Sequence, residues 1–515
     1  MFSRKLLSRG LFPAVILIAT LLTNLAVFRP TLWRVGPFED DFFYYLKTAI
    51  NFNKGLGPSF DGQHWTNGYH PLWFLCISAF SYLFGPSHVF LAVLTVICFS
   101  SLAVYFMMRY VLTSSMGLNG SWATLLAGFL SISAMYLMSG GMEVVLALPA
   151  AILFCTFRLR LSGIWNFRDS LLLGLLASLL ILSRLDAALL VIALLTQDLV
   201  YFVRRRANLL SIATGLMVGF LPIILYLFLN LEVFHTLMPV SSLAKQLRVH
   251  HYPSLLPLRS VLMEGTAYQR LILVLPTILL FPLAAWCFAN NGWGKIELGY
   301  RHVISSLILF PLLQVGILSI ASDWKIFEWY LYSFVLSEIG LLLYMSKQHL
   351  PLFSTESHFA QGVALLLVVC MTVSLILARV RNVLRGPDPR RDFIYLGAEG
   401  VADFAVAHTG VYAMGDRAGM VGFLLQDPVV QLEGLVMDPP FLRNIREEQD
   451  LLKVLGNYHV QYYVTASATK IGECYQVREP AMAGPDSLAM RGILCQPPEK
   501  IVNVGGKKTY IFHLR

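Results

Sequence analysis

The sequence predicts a polytopic α-helical membrane protein with about eleven transmembrane helices and a C-terminal extracytoplasmic α/β domain. Hydrophobic residues make up 57% of the 515 residues and charged residues only 13%, which excludes an ordinary soluble protein. Apolar runs close to twenty residues recur, each long enough as a helix to cross about 30 Å of hydrocarbon. The composition turns more polar near residue 379, so we expect a transmembrane domain at 1–378 and a second domain at 379–515.

Each apolar run is assigned to one crossing. The main runs are 11–29, 88–112, 121–140, 208–230, 271–289, 302–321 and 359–378. Four further crossings are assigned to 143–159, 170–183, 187–203 and 329–345. The first run has a basic start and lacks a small-residue cleavage site, which predicts a retained anchor.

The distribution of basic residues predicts the orientation, because positive clusters mark the cytoplasmic side. The clusters lie at 4–9, 158–168, 204–206 and 295–301. The outer loops are then 30–87, 141–143, 184–186, 231–270 and 322–328. The apolar run 71–85 is too short for a full crossing, so we expect an interfacial or re-entrant helix. The odd number of crossings places the C-terminal domain outside the inner (plasma) membrane, and the net charge of +9 indicates anionic lipid rather than nucleic acid as the partner.

The C-terminal segment predicts alternating strands and helices. Strand-length apolar runs occur at 410–414, 429–432 and 461–465, and 441–455 is helix-like. Cys474 and Cys495 lie in this domain, and an oxidising compartment would permit a bridge that closes about twenty residues.

The first outer loop contains the adjacent carboxylates of Asp40 and Asp41. A carboxylate at a membrane edge is costly, so we expect a catalytic base or a metal ligand; the alternative is a helix cap. An amphipathic stretch follows, which predicts a helix along the interface, with Lys47 and Lys54 near lipid head groups. The dipole of that helix would lower an Asp pKa and keep a base ionised.

The same loop continues through Asn67, Tyr69 and His70, which we expect to contact substrate. His70 precedes Pro71 and is held extended. As a cation or hydrogen-bond donor it could meet a phosphate; the alternative is a packed loop histidine.

Two short outer turns carry further charges. Glu143 is a candidate second acid, metal ligand or acceptor of sugar hydroxyls, against a simple helix-start Glu. Arg184 and Asp186 share one tight turn. They either pair with each other, or Arg184 clamps a phosphate with its planar fork.

The remaining candidates lie on later outer loops. Lys245 can serve a phosphate or be a solvated loop lysine. Trp329 and Tyr330 can face a sugar ring, or belong to an ordinary aromatic belt. The glycine-rich segment 415–422 lacks GxGxxG spacing, so a nucleotide site is not expected there.

Together these motifs resemble the GT-C superfamily of polytopic glycosyltransferases, and among them the bacterial arabinofuranosyltransferases. The likeness consists of the Asp-Asp-x-aromatic pattern at Asp40 and Asp41, a glycine-containing turn, and a Thr-Asn stretch that leads into Pro-Leu-Trp. It implies that Asp40 or Asp41 is the base or a metal ligand, with the aminoarabinose transferases favouring Asp40. It leaves open a divalent metal, Mg²⁺ or Mn²⁺, held by Asp40, Asp41 and Glu143.

The resemblance implies a polyprenyl-phosphate sugar donor and a glycan, lipid or protein acceptor. The expected reaction is a single inverting displacement, with Arg184, Lys245 and His70 stabilising the lipid phosphate. A lipid or sugar transporter is the alternative function. Transporters usually carry internal repeats and midplane polar groups, whereas the ionisable groups here gather at one face.

Overall fold

The computed structural model of the chain describes residues 12–24, 38–118, 120–161, 163–205, 208–250, 252–264, 274–291, 293, 296–347, 358–385, 388–389 and 392–514. Helices occupy the predicted apolar runs wherever these fall within the described ranges. Residues 11, 25–29 and 271–273 of those runs lie outside them.

Ten α-helices lie among the described residues before 240. They are α1 (Phe12–Thr23), α2 (Asp40–Asn53), α3 (Pro71–Phe84), α4 (Val89–Tyr110), α5 (Gly120–Met138), α6 (Val144–Arg160), α7 (Phe167–Ser183), α8 (Ala188–Arg204), α9 (Leu209–Gly219) and α10 (Leu221–Phe234). Six more follow among the described residues up to 385. They are α11 (Val240–Lys245), α12 (Leu256–Arg259), α13 (Leu275–Asn291), α14 (Leu298–Ala321), α15 (Tyr332–Lys347) and α16 (His358–Arg385). Short 3₁₀ turns at Leu185–Ala187 and Glu328–Leu331 lead into α8 and α15.

Four helical segments in the described part of the chain are long and apolar enough to cross a membrane. They are Val89–Ser115, Gly120–Met138, Leu185–Arg204 and Leu298–Ala321. Helices α9 and α10 meet at a bend of 53° and would together be one broken span. Large apolar side chains such as Phe99 and Leu210, 70% and 75% exposed, need a lipid environment. The chain is therefore a helical membrane protein; the eleven crossings, their orientation and the role of α3 stay predictions.

The C-terminal region is a mixed α/β domain, as predicted. Its elements are α17 (Phe393–Ala405), β1 (Tyr412–Met414), α18 (Ala418–Leu424), β2 (Val429–Gln431), α19 (Pro439–Arg446), α20 (Leu451–Asn457), β3 (Tyr462–Thr465), β4 (Thr469–Ile471), β5 (Cys474–Glu479), β6 (Met490–Leu494), β7 (Lys500–Val504) and β8 (Lys507–His513). One sheet has the order β2-β1-β3-β8-β7, with β1 parallel to β2 and β3 and the other pairs antiparallel. The three predicted strands are β1, β2 and β3. The predicted division at 378/379 falls inside α16, and it stays a prediction.

A second, antiparallel sheet contains β4, β5 and β6 in that order. The predicted disulfide is confirmed, because Cys474 at the start of β5 is bonded to Cys495, the residue after β6. The bridge therefore ties the two ends of this hairpin together.

Helix α2 is buried between the membrane helices and the C-terminal domain. The Phe43 ring lies 5.3 Å from the ring of Phe423 in α18 and 6.4 Å from that of Phe90 in α4. The Lys47 ammonium donates to the carbonyl of Leu425 at 2.9 Å. Lys47 therefore binds protein rather than lipid head groups, and that part of the expectation is wrong. The position of α2 along the membrane surface, with Lys54 at head groups, stays a prediction.

Candidate active site

The segment from α2 to the start of α3 is joined by hydrogen bonds to three other segments that connect helices. The side-chain oxygen of Asn67 accepts from the first amide of α11 at 2.9 Å. Nδ1 of His70 accepts from the amide of Leu185 at 3.1 Å. The indole of Trp73 donates to the carbonyl of Gly141 at 3.0 Å. The predicted site residues of these segments are therefore brought to one place.

The Arg184 side chain lies at the centre of this junction and is only 1% exposed. Its Nη1 donates to Oε1 of Glu143, and its Nε donates to Oδ1 of Asp186 at 2.9 Å. The hydroxyl of Tyr45 donates to Oε2 of Glu143 at 3.2 Å. One buried cation thus holds two carboxylates that come from different turns.

The surroundings of Arg184 leave it little room for a ligand. Its guanidinium lies 4.3 Å from the ring centre of Tyr330 and 5.0 Å from that of Tyr332. Asp186 also accepts from Gln314 at 2.6 Å and from the Tyr332 hydroxyl at 3.0 Å. The structure therefore favours the pairing alternative over a phosphate clamp. Glu143 likewise has its own partners.

Asp40 is held by the C-terminal domain. Its Oδ2 accepts from the amide of Gly419 at 3.0 Å and its Oδ1 from the amide of Met420 at 2.8 Å. A β-carbon at residue 419 would lie 2.2 Å from the backbone oxygen of Asp40, so only glycine permits this approach. Sequence reasoning missed these two partners; the glycine-rich segment 415–422 was the available signal.

Asp41 is different, because its carboxylate makes no hydrogen bond or ion pair with any described residue. Its side chain is only partly buried. The positive charge of Lys245 acts on it. Of the two aspartates, Asp41 is therefore the one free to take a proton.

The pKa of each aspartate is raised, contrary to the expectation from the helix dipole. Burial raises the pKa of Asp40 to about 7, although the Met420 and Gly419 amides act in the opposite direction. Burial likewise raises the pKa of Asp41 to about 6, with Lys245 lowering it. Glu39 is the helix cap rather than either aspartate. Removal from water thus outweighs the dipole, and the result suits a general base near neutral pH.

His70 lies against Glu143 rather than in an open position. Its Nε2 is 3.6 Å from Oε1 of Glu143, and its Nδ1 accepts from the Leu185 amide. Burial lowers its pKa, which favours the neutral ring. The structure thus favours the packed loop histidine over a phosphate-binding cation.

Lys245 contacts the aromatic residues of the site. Its ammonium is 3.4 Å from the Tyr330 hydroxyl and 5.8 Å from the ring centre of Trp324. Burial works against its charged form, but Tyr330 and Asp41 outweigh burial and raise its pKa. Lys245 is therefore a fixed positive charge.

The remaining predicted contacts are mostly packed. Trp329 is 6% exposed and stacks on Phe327 at 5.0 Å, so it does not offer an open face to a sugar. Tyr69 stacks on Phe74 at 4.0 Å. Substrate contact by these aromatics and by Asn67 stays a prediction.

The predicted metal ligands do not fit a metal ion. Among the described residues, no group of three or more His, Cys, Asp or Glu side chains could hold one. The Asp40 carboxylate binds backbone amides and Glu143 binds Arg184. Amide and guanidinium protons occupy the oxygens that a metal would need, so the set of Asp40, Asp41 and Glu143 is not supported.

No protein-family model and no curated protein matches the sequence. Among solved structures, the chain is similar to arabinofuranosyltransferase AftD from mycobacteria, with a TM-score of 0.51 and 15% identity over 90% of this chain. The chain has the GT-C fold. It spans about a third of that enzyme, since the match covers 35% of the AftD chain. The archaeal oligosaccharyltransferase AglB from Archaeoglobus fulgidus also matches, with a TM-score of 0.43 and 12% identity over 89% of this chain and 69% of that one.

Proposed function

We propose that this GT-C protein is a membrane glycosyltransferase that moves a sugar from a polyprenyl-phosphate donor to an extracytoplasmic glycan, lipid or protein acceptor. The observation that carries the proposal is the carboxylate of Asp41, which has no hydrogen bond or ion pair with a described residue and on which the positive charge of Lys245 acts. Such a pair can accept a proton on one side and stabilise an anion on the other. The site would face the outside of the inner membrane.

The reaction is one displacement at the anomeric carbon. The acceptor oxygen forms a bond to that carbon while its proton passes to Asp41. The bond between the anomeric carbon and the lipid phosphate breaks, and its electron pair stays on the phosphate oxygen. Lys245 stabilises the charge that develops there. Because the two bonds lie on opposite sides of the carbon, the configuration inverts.

Two neighbouring groups have different roles. Asp40 fixes the start of α2 to the C-terminal domain through the Gly419 and Met420 amides. These contacts hold Asp41 at a defined place, which a proton transfer requires. Arg184 joins the turns that contain Glu143 and Asp186 and so stabilises the fold.

The test is glycosyl transfer by the purified full chain in nanodiscs, with polyprenyl-phosphate arabinofuranose, mannose and glucose as donors. Asp41→Asn keeps the shape of the side chain and removes the base, so we expect transfer to fall by about 10²–10⁴-fold. The matched control is Asp169→Asn, which also changes a first-turn helical aspartate and should leave transfer unchanged.

Two results would contradict the proposal. One is near wild-type transfer in Asp41→Asn. The other is movement of the lipid-linked sugar across the bilayer without any glycosidic product, which would favour a flippase.

A further inference from the structure

Three carboxyl side chains of the C-terminal domain, Asp416, Glu433 and Glu479, lie beside the candidate active site; we call them the acid cluster. Glu433 and Glu479 are 4% and 1% exposed. Each has one oxygen with a partner, because Gln431 donates to Oε2 of Glu433 at 3.3 Å and Tyr463 donates to Oε1 of Glu479 at 2.8 Å.

The other two oxygens, Oε1 of Glu433 and Oε2 of Glu479, are buried and have no hydrogen-bond partner in the described part of the chain. The amides of Met482 and Ala481 act on the carboxyl groups of Glu433 and Glu479 and lower their pKa, but the two oxygens named above accept no hydrogen bond from them. A buried acceptor without a donor costs about 1–3 kcal/mol. Two such atoms in one place indicate a ligand that brings donors.

The acid cluster is continuous with the two first-loop aspartates. A β-carbon at Gly415 would lie 2.0 Å from Oε2 of Glu479, so Glu479 contacts the loop that contains Asp416. The same loop binds Asp40 through the amide of Gly419. The charge of Asp416 also acts on Asp41, which places the acid cluster next to the proposed base.

The chemistry of the acid cluster favours hydroxyl groups over a cation. Asp416 already has a positive partner, since its Oδ2 is 3.0 Å from Nε of Arg417. Burial raises the pKa of Glu479 to about 8 and raises that of Glu433. Carboxyls that keep their protons donate and accept hydrogen bonds as a sugar hydroxyl does, whereas they attract a cation weakly.

We propose that the acid cluster binds hydroxyl groups of a neutral oligosaccharide acceptor and presents one of them to Asp41. This inference rests on the proposed function and narrows its acceptor to a glycan. The C-terminal domain then supplies acceptor recognition, and the membrane part supplies Asp41 and Lys245.

The test measures binding and turnover separately, with the full chain in nanodiscs. Neutral arabino-, manno- and gluco-oligosaccharides are titrated while the thermal midpoint is recorded, and spermidine serves as the cationic probe. Glu433→Leu removes both oxygens of that carboxyl, and Asp416→Asn replaces one oxygen of a side chain that is 15% exposed with an amide donor. We expect at least one oligosaccharide to stabilise the wild-type chain and to bind each variant about tenfold or more weakly. Glu447→Gln, an exposed glutamate of the same domain, is the matched control.

In turnover, both variants should raise the KM for the oligosaccharide while hydrolysis of the lipid-linked donor by water stays as in wild type. Stabilisation by spermidine alone, no stabilisation by any oligosaccharide, or equal binding in wild type and both variants overturns the inference. Failure of the proposed function is a distinct result, because donor consumption would then be absent while oligosaccharide binding can still be measured.

Discussion

The contact between Gly419 and Asp40 can be tested by adding a single methyl group. In Gly419→Ala the new carbon would lie 2.2 Å from the Asp40 backbone oxygen and 2.9 Å from its Oδ2, whereas ordinary contact begins at 3.4 Å. The loop must therefore retreat by more than an ångström. The amide-to-carboxylate distances of 3.0 and 2.8 Å would then reach about 4 Å, too long for a hydrogen bond.

The expected cost follows from these two bonds. Hydrogen bonds to a charged group contribute about 1.5–3 kcal/mol each, and an added alanine methyl returns up to about 1 kcal/mol through the unfolded chain. We therefore expect Gly419→Ala to lower the free energy of unfolding by about 2–5 kcal/mol. Transfer per folded molecule should also fall, because α2 loses its anchor.

The assay is denaturant unfolding in detergent, together with hydrogen exchange in α2. The matched control is Gly456→Ala in α20, where a β-carbon meets nothing within 4 Å. In that control the free energy of unfolding should equal or slightly exceed that of the wild type. If Gly419→Ala shows the wild-type free energy of unfolding, hydrogen exchange in α2 and transfer rate, the amides of Gly419 and Met420 do not anchor Asp40.

Three further results are expected. Asp41 must be ionised to take a proton, and burial raises its pKa to about 6. The transfer rate at low substrate concentration should therefore fall about tenfold per pH unit below pH 6 and level off above it. A pH profile without a break near pH 6 would contradict this. Arg184→Ala leaves Glu143 and Asp186 buried without their cation, at a cost of about 3–5 kcal/mol. Protein yield and thermal midpoint should therefore drop, while transfer per folded molecule stays as in wild type. A severe loss of specific activity in well-folded protein would instead support binding of the donor phosphate by Arg184. Glu479 holds its proton more tightly in the folded protein, where its pKa is raised from 4.5 to about 8. Its contribution to stability is therefore complete below about pH 4.5 and is lost as the pH rises to 8. Glu479→Gln should reduce the fall of the unfolding free energy over this range by about 1.4 kcal/mol per pKa unit, and parallel curves of unfolding free energy against pH for the two proteins would argue against it.

The sequence predicts the helices, the strands β1 to β3 and the disulfide because these depend on local hydropathy, strand-length runs and compartment. It also predicts that Asp40 and Asp41 matter, but it cannot separate them, since they are adjacent and identical in type. The structure separates them through the amides of Gly419 and Met420, 379 and 380 positions away. A contact at that separation leaves no periodicity in the sequence.

The partners of Arg184 show a second limit of the sequence. Asp186 shares its turn, so their pairing is a natural expectation from sequence. Glu143 lies 41 positions earlier, and its contact depends on how α6 and α7 pack. The same holds for the exposure of Trp329, because whether an aromatic faces a sugar or stacks on Phe327 is decided by tertiary packing.

The bond from Met420 to Asp40 also has a consequence for the order of biosynthesis. It spans 380 positions, and a ribosome adds about 5–20 residues per second. The first loop is therefore made roughly half a minute before the amides that complete it. Until those amides arrive, the nascent chain has its acid pair but not the brace that orients it. If the proposed function holds, a partly synthesised chain in the membrane does not use lipid-linked sugars, and transfer begins only when the last domain docks.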